Sequence, residues 1–129
     1  MNTSAILLTL ILSAAPNSYP LRVERVVDGD TIVADIDLGF GVKLYDAMIR
    51  MADYDTWETG ARGGQIITPE EKTKGKAAKA DLEKLLAASK RITIVPDAKP
   101  RDNFGRVLGR VYVDDKSLGD VMKIRGHIR

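Results

Sequence analysis

The stretch "RVERVVDGDTIVADIDL", residues 22–38, decides the fold. After Asp30 its residues alternate. Ile32, Ala34, Ile36 and Leu38 share one face, and Val33, Asp35 and Asp37 share the other, as in a half-buried strand. "GFG" at 39–41 is a glycine turn, and 42–52 supplies a further strand, so this part reads as a meander. "ETGARGGQIIT" (58–68) has three glycines and no periodicity, which predicts a mobile loop. A helix is predicted from about 69 to 88. Thr68 can cap it, Pro69 suits its first position, and Glu71 stands three residues after the cap. Ala78, Leu82, Leu85, Leu86 and Ser89 fall on one face of that helix, while Lys72, Lys76, Lys79 and Lys84 form a solvated face. Then come a strand, "RITIVP" (91–96), a charged turn, "DAKPRDNFG" (97–105), and another strand, "RVLGRVYV" (106–113). "DDKS" (114–117) turns the chain into a short helix over 118–126, ended by Gly126. Strands, one long inserted helix and two more strands suit a small closed barrel with helices packed on it, an α+β domain that is mainly β.

The 129 residues suit one domain with one core, and 44% apolar with 29% charged residues describes a globular chain. A net charge of +2 permits an anionic partner without requiring one. The absence of cysteine excludes disulfides, thiolate metal sites and cysteine nucleophiles. The single histidine, His127, excludes a histidine pair. Chemistry must therefore come from carboxylates, arginine, lysine, hydroxyls or a metal. "AILLTLILSAA" (5–15) is too short to span a bilayer and is similar to a secretory h-region, although no Lys or Arg precedes it. The expected division is a signal or apolar segment at 1–20 and a domain at 21–129. The expected location is secreted or periplasmic, with the cytoplasm as the alternative.

Asp28, Asp30, Asp53, Asp55 and Glu58 lie in two short segments that border turns. Carboxylates without His or Cys select a hard cation, Ca²⁺ or Mg²⁺. "DGD" is also an ordinary turn sequence, so Asp28 and Asp30 alone decide nothing. Arg50 interrupts an apolar strand and Arg106 follows Gly105 at the start of another. A guanidinium is a bidentate phosphate ligand that keeps its proton. A cation on the phosphate, arginines to hold charge and a carboxylate to activate water are what a metal-assisted phosphodiesterase requires.

Three segments carry a resemblance to the staphylococcal (micrococcal) nuclease family, in order: "VVDGDTI" (26–32), "IRMADYDTWE" (49–58) and "DNFGRVLGRVYVDD" (102–115). The resemblance covers about residues 22–126. It implies a five-stranded OB-type barrel with one long helix and a short C-terminal helix. It also implies Ca²⁺ as cofactor, and DNA and RNA as substrate, favoured where they are single-stranded or flexible. A monomer without an obligate protein partner is expected. By position, Asp30 and Asp55 resemble the calcium-binding carboxylates and Thr56 the residue whose carbonyl completes the protein ligands. Glu58 resembles the general base, and Arg50 and Arg106 the two phosphate-binding arginines. Asp53 matches no functional position. Trp57 stands where many members have proline, and could stack on a nucleotide; Phe104 keeps an aromatic but lacks the phenol hydroxyl of the type member, and both are candidate substrate contacts. Asn103 replaces a lysine, and the loop 59–68 carries only Arg62 as a cation. The chain reaches Arg129 without the later tyrosine and last helix of the type member, so nucleotide affinity and domain stability are the properties expected to differ. The function implied is a calcium-dependent, sugar-nonspecific nuclease. The alternative is a weak or inactive OB-fold domain that binds nucleic acid or a protein.

Overall fold

The computed structural model describes residues 17–60 and 66–129, so the apolar segment 5–15 and Arg62 lie outside the described residues. Among the described residues there are six strands: β1 (Tyr19–Asp28), β2 (Thr31–Gly39), β3 (Val42–Met51), β4 (Ile92–Arg101), β5 (Val107–Val113) and the two-residue β6 (Lys116–Ser117). Two helices accompany them in the described residues, α1 (Pro69–Ala88) and α2 (Leu118–Ile124). β1 begins ahead of residue 21, and Tyr19 and Pro20 already pair with Ile94 and Thr93 of β4.

The strands run in the order β3-β2-β1-β4-β5, and β3 also pairs with β5. Five strands thus close into a barrel of mixed direction, since the β3–β5 pairing is parallel and the others antiparallel. This is the expected α+β, mainly β, OB-type architecture. Closure removes the unpaired edges that an open sheet would expose. β6 only extends β5 and leads into α2. The interior is filled by Ile32, Ile49, Met51, Ile94 and Val111 from the strands and by Leu82 of α1, all essentially inaccessible to solvent.

β2 departs from the half-buried expectation, because both of its faces are covered from Thr31 to Ile36. Bulges explain this. The β1–β2 register shifts between Val23 and Arg25, and the β2–β3 register shifts between Ala34 and Ile36. A bulge increases local twist and redirects side chains. Glu24, Asp46 and Asp35 consequently bring one carboxylate oxygen each to within 4.8 Å of the others. Asp35 is buried there and accepts a hydrogen bond from the Asp46 N–H at 3.0 Å. Crowding by Asp46 and Asp35, through shared hydrogen bonding, burial and repulsion, raises the pKa of Glu24. Leu38 lies past the covered region and is exposed at the hairpin, where Gly39, Phe40 and Gly41 all have positive φ.

β4 also runs further than "RITIVP" suggested. Residues 97–101, expected in a turn, remain extended and exposed, and Arg101 pairs with Val107 after a register shift at Pro96. The reversal occupies only Asp102–Arg106, with Gly105 at φ 81° and its N–H donating to the Asp102 carbonyl. α1 has the predicted bounds. The Thr68 hydroxyl accepts from the Glu71 N–H at 3.2 Å, and Gly75, Ala78, Leu82 and Leu86 form its buried stripe. α2 stops two residues short of 126. The tail beyond it is tied to α1 through Asp81, which meets Arg125 at 2.7 Å and His127 at 2.8 Å.

Leu82→Ala should destabilise the protein by about 2–5 kcal/mol, as expected for a truncated core leucine. Thr68→Ala should cost about 1 kcal/mol, the worth of one cap. Urea unfolding followed by circular dichroism checks both values and their order.

Candidate active site

The two segments rich in acids meet because β2 and β3 are register partners. Thr31 lies opposite Arg50, and the Met51 N–H donates to the Asp30 carbonyl at 2.9 Å just past the ladder. Three side-chain bonds then fasten the segment after β3 onto the Asp28–Asp30 turn. The Thr56 N–H donates to Asp30 Oδ2 at 3.1 Å, the Tyr54 hydroxyl to the Gly29 carbonyl at 2.7 Å, and the Thr59 hydroxyl to Asp28 Oδ1 at 2.7 Å. Burial, with the Asp30 charge second, holds the Tyr54 phenol far above its ordinary pKa, so it stays a donor.

Asp30 is the buried member of the group. Its side chain is 5% exposed, against 49% for Asp55. Burial raises its pKa; the Thr56 N–H, the Arg50 charge and the Thr31 hydroxyl at 2.9 Å pull it down, and the neighbouring Asp55 carboxyl pushes it up. Arg50 joins the two acids, its Nη2 lying 2.9 Å from Asp55 Oδ1 and 3.4 Å from Asp30 Oδ2. Its Nη1 donates to the carbonyls of Met51 and Tyr54, both at 2.8 Å. The guanidinium is therefore fixed at four points. Two carboxylates, one desolvated and one facing solvent, suit a hard cation that prefers oxygen ligands. The donor set fits a hard divalent cation, with Asp30 and Asp55 as the residues that would hold it.

Thr56 is buried, and its hydroxyl has no hydrogen-bond partner among the described residues. Trp57 and Glu58 line a cavity of about 220 Å³ with Ile66, Ile67, Glu71 and Arg129. The Trp57 ring already carries two cations, Lys74 at 5.2 Å and Arg129 at 5.1 Å from its centroid. The Arg129 N–H also donates to the Asp55 carbonyl at 2.9 Å.

Arg106 and Phe104 form a second unit on the β4–β5 turn. Val107 pairs with Ile49 and Leu108 with Arg50, so strand alternation places Arg106 on the same side of the sheet as Arg50. Arg106 Nε meets Asp102 Oδ2 at 2.6 Å, and its guanidinium lies 5.7 Å from the exposed Phe104 ring. Burial acts to raise the Asp102 pKa, but bonds from the Arg106 side chain and from the N–H groups of Arg106 and Phe104 outweigh it and lower it. This use of the Nε edge leaves the forked end of the guanidinium as the part suited to a phosphate.

Asp30, Arg50, Asp55 and Thr56 thus form one bonded unit, Trp57 and Glu58 continue it, and Arg106 with Phe104 approach along the neighbouring strand. Asp53 turns away. It lines a separate cavity with Arg110 and Tyr112, close to Gly119 of α2, and burial raises its pKa. The three-acid group of Glu24, Asp35 and Asp46 uses none of the expected site residues. Asp102, Tyr54 and Thr59 were not foreseen. Asp102 had a sequence signal, since an Asp two residues before Phe-Gly favours a turn closed by its own side chain.

The chain is similar to curated proteins over most of its length. The chain is 34% identical over 94 residues to a protein named thermonuclease from Staphylococcus intermedius, covering 73% of this chain and 49% of that protein. It is also 34% identical over 97 residues to an uncharacterized endonuclease from Escherichia coli, covering 73% of this chain and 48% of that protein. Over these residues the chain resembles the staphylococcal-nuclease-like family. It spans about half the length of the curated relatives it matches. No family model matches.

The raised pKa of Asp30 sets a sign. The folded state binds its proton more tightly than the unfolded chain, so this residue's contribution to stability falls as pH rises from about 3.9 through the folded value. Asp30→Asn should remove that loss. Urea titrations from pH 3 to 7 should show the unsubstituted chain losing stability relative to the variant as pH rises.

Proposed function

We propose that the chain is a calcium-dependent, sugar-nonspecific nuclease that hydrolyses phosphodiester bonds of DNA and RNA. The observation that carries this reading is the bonded unit of Asp30, Arg50 and Asp55, in which one guanidinium nitrogen touches both carboxylates. The names thermonuclease and endonuclease among the relatives support it. When bound, Ca²⁺ would supply charge neutralisation and polarisation of the phosphate. Asp30 and Asp55 would hold it, with Thr56 contributing its main chain. Arg50, held through Nη1 by two carbonyls, offers a positive charge beside the carboxylates to the phosphoryl oxygens where charge develops. Arg106 supplies a second charge from the next strand. Glu58, in the cavity wall two residues after Thr56, takes the proton of the attacking water or orients it. A buried and a half-exposed carboxylate suit the variable coordination of Ca²⁺ better than the strict octahedron of Mg²⁺.

Incubation with single-stranded DNA in Ca²⁺ or in EGTA tests this. Cleavage should require Ca²⁺ and fall about 10²-fold or more in Glu58→Ala and in Arg106→Ala. Binding without cleavage in Ca²⁺ would refute the enzyme and favour a nucleic-acid-binding domain.

A further inference from the structure

α1 meets the site through its smallest residues. Gly75 is buried in the middle of the helix, where glycine is unfavourable relative to alanine. The reason lies across the contact. A Cβ on Gly75 would stand 2.2 Å from the Glu58 carbonyl oxygen, 2.6 Å from the Glu58 carbonyl carbon and 2.7 Å from the Trp57 carbonyl oxygen. These are main-chain atoms, so no side-chain rotation can relieve the overlap. One turn on, Ala78 lies under the Asp28–Asp30 turn, 2.7 Å from where a Cβ on Gly29 would be. Lys74, beside Gly75 in the helix, rests over the Trp57 ring.

We propose that Gly75 is the positioning residue for Glu58, the bare patch of helix on which the Trp57–Glu58 main chain is seated. The inference rests on the reading of Glu58 as the group that handles the attacking water. With Gly75 in place, the helix surface fixes the depth of that peptide and so the reach of the Glu58 carboxylate. A methyl group there lifts the peptide away from the helix. The Asp30–Arg50–Asp55 unit is fastened by its own bonds and stays where it is.

Gly75→Ala tests this, with Trp57, the only tryptophan in the chain, as a reporter inside the displaced segment. In the variant, Trp57 emission should shift and become more accessible to acrylamide, while calorimetric Ca²⁺ binding remains as in the unsubstituted chain. With single-stranded DNA and Ca²⁺, kcat should fall about 10- to 100-fold at unchanged KM, the effect of a displacement near 1 Å. In a Glu58→Ala background the same substitution should change the residual rate no further. The proposal is overturned if Trp57 fluorescence is unaltered, if kcat is retained, or if Gly75→Ala slows Glu58→Ala by the same factor. It is equally overturned if Gly75→Ala fails to fold in Ca²⁺, which would make the contact a folding requirement. The fluorescence arm does not depend on activity. An unsubstituted chain that does not cleave, with Trp57 displaced in the variant, therefore removes the nuclease reading and leaves the seat.

Discussion

A carboxylate taken out of water must be compensated where it sits, and the burial of Asp30 imposes that requirement on everything around it. Isolated, such a charge would be strongly unfavourable; surrounded by donors it becomes a fastening point. The Thr31 hydroxyl, the Thr56 N–H and the Arg50 guanidinium supply the donors, and each comes from a different place in the chain. Satisfying one buried acid thus joins β2, the end of β3 and the segment after it. The donors that partly offset the burial of this acid also bring it beside Asp55, the second carboxylate that a hard cation would use.

The barrel makes that arrangement possible. β2 and β3 pair up to Thr31 and Arg50, so the turn before one strand and the exit of the other must emerge side by side. The parallel β3–β5 pairing that closes the barrel brings the Asp102–Arg106 turn alongside. α1 then lies below both segments. Its buried stripe begins with glycine and alanine, where the site segments press against it, and continues with leucine, where the core does. One helix face therefore serves two purposes that ask for different side-chain sizes.

Much of this was legible in the sequence. Alternation after Asp30, the glycine turn at 39–41 and the Thr68–Pro69–Glu71 cap signal placed β2, β3 and α1 within a residue or two. The family resemblance implied that Asp30, Arg50 and Asp55 share one site, and in the structure Arg50 contacts both acids. What was not legible depends on tertiary neighbours. Nothing in the alternation of Val33 and Asp35 could show that bulges in β1 and β3 would cover them. The charges at 97–101 looked like a turn, yet an exposed hairpin arm tolerates them in extended form. Gly75 carried no signal of its own in the sequence, because its reason is the peptide of Glu58, seventeen residues earlier in the chain.

The two arginines are held in physically different ways. Arg50 is bound to two carbonyls and two carboxylates inside the barrel wall, so its position changes only if that wall changes. Arg106 is bound within its own turn, through Asp102, at the end of an exposed arm. Segments with little buried surface open at lower free energy than core strands. The first charge is therefore held by the barrel wall and the second by a turn on an exposed arm, so local opening of that arm would displace Arg106 and leave Arg50 in place.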